Sequence, residues 1–176
     1  ETMPAENLTL HAAWTINQYT ITFESNGGSV VAPITEDYQT ALAAPADPTL
    51  EGYKFDTWYA DEALTEAYVF GVMPAEDTTA YASWTINQYT LTFESNGGSL
   101  VDPITEDYQT ALAAPVDPTR EGHTFGGWYT DEALTDAYLF DLMSAEDQTL
   151  YAAWTINQYM ISFETGDGSA LDPLSI

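Results

Sequence analysis

Apolar and polar residues alternate along most of this chain, and the alternation changes phase at fixed places. Leu8, Leu10, Ala12, Trp14 and Ile16 are apolar at even positions, whereas Tyr19, Ile21 and Phe23 are apolar at odd ones. Each run reads as a half-buried strand, because successive side chains of a strand point to opposite faces. One unbroken strand cannot change phase without sending its apolar set to the wrong face. The break falls at Asn17-Gln18, which lacks the residues a two-residue hairpin turn prefers. It therefore reads as a seam where one folded unit ends and the next begins, with little slack between them.

The residues around that break recur. Trp-Thr-Ile-Asn-Gln-Tyr stands at 14–19, 84–89 and 154–159, a constant offset (84 − 14 = 154 − 84 = 70). A fixed period of this size marks a tandem array. The predicted organisation is a final strand of a preceding partial repeat at 1–16, repeat one at 17–86, repeat two at 87–156, and the first strand of a following partial repeat at 157–176. The chain opens partway through a repeat, as an excerpt of a longer array would.

Within repeat one the first strand runs over Tyr19–Glu24. Ser25-Asn26-Gly27-Gly28-Ser29 follows as a turn, since Asn and Gly accept positive φ. A phosphate-cradling loop needs a helix N-terminus after it and usually a basic residue, and Val30-Val31-Ala32-Pro33 offers neither. Ile34, Tyr38 and Leu42 would share a helical face, but Gln39–Leu42 reads equally as a short strand, the preferred assignment. Pro45 and Pro48 force an irregular connection. The third strand covers 51–59, with Phe55, Thr57 and Tyr59 on one side and Asp56 and Trp58 on the other. Asp61–Tyr68 opens with acids suited to a helix N-terminus and predicts a short helix or helical turn. Residues 69–75 read as a loop and Thr78–Ile86 as the last strand.

A unit of this length buries only about 60% of its unfolded surface. The chain has no cysteine to staple it. Aromatics such as Tyr19, Phe23, Phe55, Trp58, Tyr68, Phe70 and Trp84 supply the large apolar area that a small core needs. The charge narrows the partners: 28 acidic residues face 2 basic ones, a net −26. Phosphate backbones and anionic membranes would be repelled, so nucleic acid and direct membrane insertion are excluded as expectations. No apolar run reaches the length of a membrane-spanning helix. The acidic surface either keeps the chain solvated or recruits cations or a basic partner.

Candidate chemistry is sparse. The two histidines, His11 and His123, occupy positions held by tyrosine in other copies, so no His-based site repeats along the array. The acid pairs Glu36-Asp37, Asp61-Glu62 and Glu76-Asp77 could bind calcium or move protons, although adjacent acids in loops are ordinarily just solvated. No catalytic residue and no cofactor are expected; calcium is the one candidate ion, with no ligand assigned. Asn7-Leu8-Thr9 has the form of a glycosylation acceptor. Lys54, the only lysine, faces Thr124 in the other copy, so an isopeptide crosslink cannot be a general feature.

Several separated signatures resemble one family. They are Tyr-Thr-Ile-Thr-Phe-Glu-Ser-Asn-Gly-Gly (19–28), Pro48-Thr49 with Glu51-Gly52-Tyr53, Phe125-Gly126-Gly127-Trp128-Tyr129-Thr130-Asp131, and Tyr151-Ala152-Ala153-Trp154. Together they resemble the Listeria–Bacteroides repeat, the B-repeat of internalin-type bacterial surface proteins. Repeat one departs at Asp56-Thr57, where repeat two has Gly126-Gly127, so local strand geometry can differ between the copies. The resemblance implies an α+β, β-rich fold: tandem β-grasp-like (ubiquitin- or SUMO-like) repeats of 70 residues in an elongated array. It implies export to the bacterial surface or the medium, and a non-catalytic role in display or adhesion.

The leading expectation is a non-enzymatic structural and adhesive module of a surface stalk or extracellular fibre. Its partners are neighbouring copies of itself, joined head to tail if strands are exchanged between chains. Its inter-repeat seam is assigned to Trp14, Asn17, Gln18, Trp84, Asn87, Gln88 and Trp154. The alternative is an adhesin gripping a host protein or glycan through an exposed aromatic and acidic face, with Tyr59, Tyr68, Trp128 and Tyr129 as the candidates.

Overall fold

A computed structural model describes residue 7 and residues 9–164, 166–169 and 171–175. Residues 1–6 and Leu8 of the partial repeat expected at 1–16 lie outside the described residues. The chain divides into two compact units, Glu1–Thr85 and Ile86–Ile176.

In the first unit the alternating run forms β1 (Gln18–Glu24), followed by β2 (Ile34–Asp37), β3 (Tyr53–Tyr59) and β4 (Thr78–Ile86). The sheet order is β2-β1-β4-β3. β1 is antiparallel to β2, with Ile21 opposite Ile34, and parallel to β4, with Ile21 opposite Thr78 and Phe23 opposite Ala80. The core follows from the alternation. Ile21 is fully buried with Ala80 and Ala82 of β4, while Tyr19, Phe23 and Trp84 pack around them. Small alanines on β4 leave room for the rings above them. The Ser25–Gly28 turn forms as expected, with Asn26 and Gly27 at positive φ and the Gly28 N–H donating to Ser25 O at 3.0 Å.

The second unit repeats this arrangement. β5 (Gln88–Glu94), β6 (Ile104–Asp107), β7 (His123–Tyr129) and β8 (Gln148–Ile156) form a sheet in the order β6-β5-β8-β7. Leu91, Leu150, Ala152, Trp128 and Met143 make its core. Only Asn87 lies between β4 and β5, so the change of phase seen in the sequence is made by one residue. Beyond β8, β9 (Met160–Ile161) pairs antiparallel with β10 (Leu174–Ser175), with Ile161 opposite Leu174. That is the β1–β2 register, moved along by two repeats.

The expected α+β, β-grasp-like fold is corrected here. Among the described residues there is no helix; each repeat is an all-β, curled half-barrel. The helix expected over 61–68 is a turn. The Asp61 carboxylate accepts the Thr65 and Glu66 N–H groups at 2.8–3.2 Å and the Thr65 hydroxyl at 2.8 Å, four and five residues on, beyond the two or three that a helix N-cap spans. Leu64 then takes φ 55, which turns the chain before a second helical turn can form. Leu134 does the same in repeat two, at φ 56.

The segment after that turn takes over the covering role assigned to the helix. The Tyr68 N–H donates to Trp58 O at 2.8 Å, on the outer edge of β3. A few residues later Met73 exchanges bonds with 39–40: its N–H donates to Thr40 O at 2.8 Å and its carbonyl accepts from Gln39 N at 3.0 Å. The stretch 66–73 thus runs from the β3 edge to the chain just past β2, and it carries Met73 into the core fully buried. The short strand expected at Gln39–Leu42 is instead one bridge, Ala41 to Val72, next to a left-handed Gln39; the true second strand is Ile34–Asp37.

The two faces assigned to the third strand also need correcting. Phe55 and Trp58 both enter the core, not opposite sides. Repeat two shows why. On β7, Phe125 pairs with Trp154 but Trp128 pairs with Ala152, so three residues on one strand answer two on the other. That extra residue is a β-bulge, and it flips the facing of everything after it.

Candidate functional site

With no helix groove and no deep cleft described, the places where chemistry or recognition could reside are the strand junctions and the exposed loops. The strongest local constellation joins the end of the last strand to the first turn. Trp84, two residues from the end of β4, donates its indole N–H to Ser25 O at 2.9 Å and lies over Gly28. A Cβ at Gly28 would collide with the Trp84 ring; at Gly98 of repeat two it would stand 2.5 Å from Trp154 Cζ2. Glycine is required there because the ring occupies the space of any side chain. Asn26 adds a bond from its side-chain amide to Ala82 O at 2.7 Å, and Asn96 repeats it to Ala152 O at 2.8 Å. Phe55 and Phe125 meet the two tryptophans at ring separations of 5.5 and 5.6 Å.

A second link fastens the other end of the same strand pair. The Asp77 carboxylate, just before β4, accepts the Thr20 N–H at 2.8 Å; Asp147 accepts the Thr90 N–H at 2.8 Å. Between these two fixtures, Thr22 and Thr79 bond through their hydroxyls at 2.9 Å, as do Thr92 and Thr149. The parallel contact between first and last strands is therefore held at both ends and in the middle.

The residues assigned to the seam can now be placed. Trp84 and Trp154 are engaged with their own repeats, as just described. Trp14 is 92% exposed. Asn17 and Asn87 each accept, through the backbone carbonyl, an N–H from the residue after the second strand, Tyr38 at 2.8 Å and Tyr108 at 2.9 Å. The Asn87 side chain reaches Tyr89 Oη at 3.3 Å and Gln88 reaches Asp107 Oδ1 at 3.0 Å. Gln18 is the exposed first residue of β1, its backbone opposite Asp37.

The aromatic ligand face does not assemble as a platform. Trp128 is 4% exposed and packs edge-on against Phe93 and Phe125. Tyr68 is half-buried with its hydroxyl 3.1 Å from Thr78 Oγ1. Burial pushes the Tyr138 hydroxyl, its counterpart in repeat two, above the ordinary tyrosine value. Tyr59 and Tyr129 are half-buried, and Tyr129 sits across from Tyr151.

Two of the acid pairs have structural work. Asp61 is held below the ordinary carboxylate value, first by the Glu66 N–H and next by the Thr65 hydroxyl; Asp131 is lowered first by the Thr135 N–H. Asp77 fixes the β1 backbone. Glu36 and Asp37, adjacent on β2, point to opposite faces. Among the described residues no group of three or more His, Cys, Asp or Glu side chains could hold a metal ion. Among the described residues no helix is long and apolar enough to cross a membrane. Lys54 is exposed on the sheet.

Sequence reasoning missed two features. One is Met73, with its counterpart Met143: Met-Pro-Ala-Glu and Met-Ser-Ala-Glu recur at the repeat interval and could have marked a fixed position. The other is the set of fully exposed apolar side chains at matching loop positions, Val30 (95%) and Leu100 (96%). They border shallow grooves formed with 45–48 and 115–116.

Comparison with known proteins agrees with the repeat boundaries the strands display. The Listeria-Bacteroides repeat domain matches residues 19–83 and again 89–153. Two proteins of Evansella cellulosilytica, one described as a Gly-rich membrane protein and one as a membrane protein, are 49% and 47% identical over 95% and 92% of this chain. Internalin H of Listeria monocytogenes is 37% identical over 84% of it. The chain spans only 20%, 25% and 31% of those relatives' lengths. With matches over both complete repeats, this chain belongs to the Listeria-Bacteroides repeat family.

Proposed function

We propose that the chain is a non-enzymatic spacer, a stretch of a bacterial surface or secreted stalk whose repeats transmit tension and hold more distant parts of the protein away from the cell. One observation carries this reading: in each repeat the first and last strands are neighbours and run parallel. The chain therefore enters a repeat at one end of the sheet and leaves at the other. From Gln18 to Ile86 the register corresponds to about 11 residues of strand, or roughly 35 Å of reach per repeat. Tension along the array pulls β1 and β4 past each other, so the whole ladder, the Asp77 link and the Trp84 clasp must yield together rather than one bond at a time. The family membership and a relative named internalin support a surface location.

The test is mechanical. Stretching the full chain between its ends should give two separate unfolding events, each releasing about 230 Å of contour from a 70-residue repeat. Unfolding without a resolvable force peak would sink the spacer reading.

A host protein or glycan as adhesive partner is the second reading. It is favoured by the exposed Val30 and Leu100, whose apolar character is kept at matching positions. If it holds, a chain carrying both Val30→Asp and Leu100→Asp loses attachment to host cells while both repeats stay folded.

A further inference from the structure

Each complete repeat carries one Asn-Gly pair, Asn26-Gly27 and Asn96-Gly97, and every other asparagine in the chain is followed by Leu or Gln. Asn-Gly is especially open to self-modification, because glycine has no side chain to shield its amide nitrogen from the preceding carboxamide. The Gly27 nitrogen attacks Asn26 Cγ, the Cγ–Nδ2 bond breaks, and ammonia leaves with the glycine amide proton. A five-membered succinimide results. Water then opens it at either carbonyl, leaving aspartate or its β-linked isomer. The reaction needs only water, and both pairs are exposed to it.

The fold holds both pairs in a shape that opposes this chemistry. Asn26 and Gly27 sit at φ 48 and 94, Asn96 and Gly97 at φ 49 and 85, and the Gly28 and Gly98 N–H groups each close their turn at 3.0 Å. Positive φ at both central residues marks a type I′ turn, in which ψ of the asparagine is about +30°. That value swings the glycine nitrogen to the far side of the Cα–C bond from Cβ, whereas ring closure needs the two on the same side. The carboxamide is tethered as well. Its nitrogen, the group that must leave, donates to Ala82 O at 2.7 Å in repeat one and to Ala152 O at 2.8 Å in repeat two. Glu24 and Glu94 accept the asparagine N–H groups at 3.1 Å, so a carboxylate stands beside the peptide that must lose its proton.

We infer that Asn26 and Asn96 are latent modification sites, shielded while a repeat is folded and open to deamidation whenever it unfolds. Refolding does not undo the change. A carboxylate at either position accepts hydrogen bonds and donates none, so it faces the Ala82 or Ala152 carbonyl acceptor to acceptor. The β-linked isomer also adds a backbone atom to a turn whose Ser25 carbonyl must still meet the Trp84 indole. Each repeat that has opened and reacted therefore returns with a weaker clasp, and the array keeps a record of its own unfolding. The shielding belongs to the folded repeat and needs no tension, so its failure is distinct from failure of the spacer reading.

The experiment incubates the full chain at mildly alkaline pH, folded in buffer and unfolded in urea, and follows each asparagine by peptide mapping with mass spectrometry. In urea, Asn26 and Asn96 should convert while Asn17 and Asn87, each followed by Gln, stay largely intact. In buffer both Asn-Gly pairs should convert at least about tenfold more slowly, because the reaction waits on opening of the turn. A double variant, Asn26→Asp with Asn96→Asp, carries the aspartate product in both turns from the start, and both of its repeats should unfold at lower urea than those of the wild type. Equal conversion in buffer and in urea overturns the inference, as does conversion in urea no faster at Asn26 and Asn96 than at Asn17 and Asn87. So does a double variant as stable as the wild type, since the modification would then leave no mark on the fold.

Discussion

The two complete repeats solve one problem with different residues. Each must bring an aromatic pair three residues apart, Phe55 with Trp58 and Phe125 with Trp128, onto the same face of a strand whose side chains should alternate. Repeat two does so with a glycine. Gly127 takes φ 110, a conformation closed to most L-residues. Repeat one has Asp56-Thr57 at these places. There the neighbouring strand helps: Ser83 Oγ donates to Thr57 O at 3.2 Å and Thr85 Oγ1 donates to Asp56 Oδ2 at 2.7 Å. Trp58 and Trp128 end at 3% and 4% exposure. The buried tryptophan is the common requirement, and the route the backbone takes to it is free to differ.

The largest expected effect tests that common requirement. Trp58→Ala and Trp128→Ala should each destabilise their own repeat by about 3–5 kcal/mol, the cost of emptying a large aromatic site. Chemical denaturation followed by fluorescence of the remaining tryptophans should show one repeat unfolding early and the other unchanged. If either change were harmless, the claim that both strands are shaped to bury this side chain would fail.

The next effect separates the two routes. Gly127→Val forces a β-branched residue into positive φ and should cost repeat two about 1–3 kcal/mol. Thr57→Val, at the same place in repeat one, meets no such demand and should cost well under half as much. Equal losses in the two melts would mean that the backbones are alike and the contrast drawn here is wrong.

Much of this architecture was legible before any coordinates. The first and last strands were found because Tyr19, Ile21 and Phe23, and Leu10, Ala12, Trp14 and Ile16 at the end of the preceding copy, alternate strictly. The turn was found because Asn26-Gly27 has one common use. What failed shares a physical cause. An acid such as Asp61 can open a helix or close a turn, and the left-handed Leu64 decides for the turn. Met73 enters the core from a segment held by backbone bonds to Thr40 and Gln39, and such bonds leave no periodic trace. Trp58 was assigned to the wrong face because the strand does not keep the alternation that the assignment relied on: Phe55 and Trp58 share one core, and in repeat two a bulge between Phe125 and Trp128 breaks the pattern. Of the site residues, the tryptophans of the recurring motif were singled out as seam residues, but the contacts of Trp84 and Trp154 within their own repeats were not foreseen. Those depend on which glycine the parallel pairing brings beneath them.

A smaller effect is shared by both repeats and so sharpens the contrast by not contributing to it. Asp61 and Asp131 have folded-state pKa values depressed below the ordinary carboxylate value by the N–H groups of their turns. Depressed groups stabilise the fold above the unfolded-state pKa, near 3.8, and lose that contribution as pH falls through the lower, folded-state value. The stability deficit of an Asp61→Asn, Asp131→Asn double variant relative to wild type should therefore be full at neutral pH and shrink below pH 3.8. The two repeats should respond in parallel. A deficit that is the same at acid and neutral pH would show that the carboxylate charge plays no part in the turn.

The smallest effect belongs to repeat one alone. Thr85 donates to Asp56 across the strand pair, but its counterpart Thr155 lies opposite Thr124, and Gly126, at the Asp56 position, has no side chain to accept. Thr85→Val keeps the shape and the strand preference of threonine while removing the hydroxyl. It should cost repeat one about 0.2–1 kcal/mol, the range of a single exposed cross-strand pair. Thr155→Val should be neutral or slightly stabilising, because nothing on that side of repeat two depends on Gly126. The comparison is within one chain and one buffer, so even a small difference in midpoint between the two variants is meaningful. If Thr155→Val proved the costlier change, the side-chain bond in repeat one would be incidental, and Asp56-Thr57 would have to hold its place by backbone geometry alone.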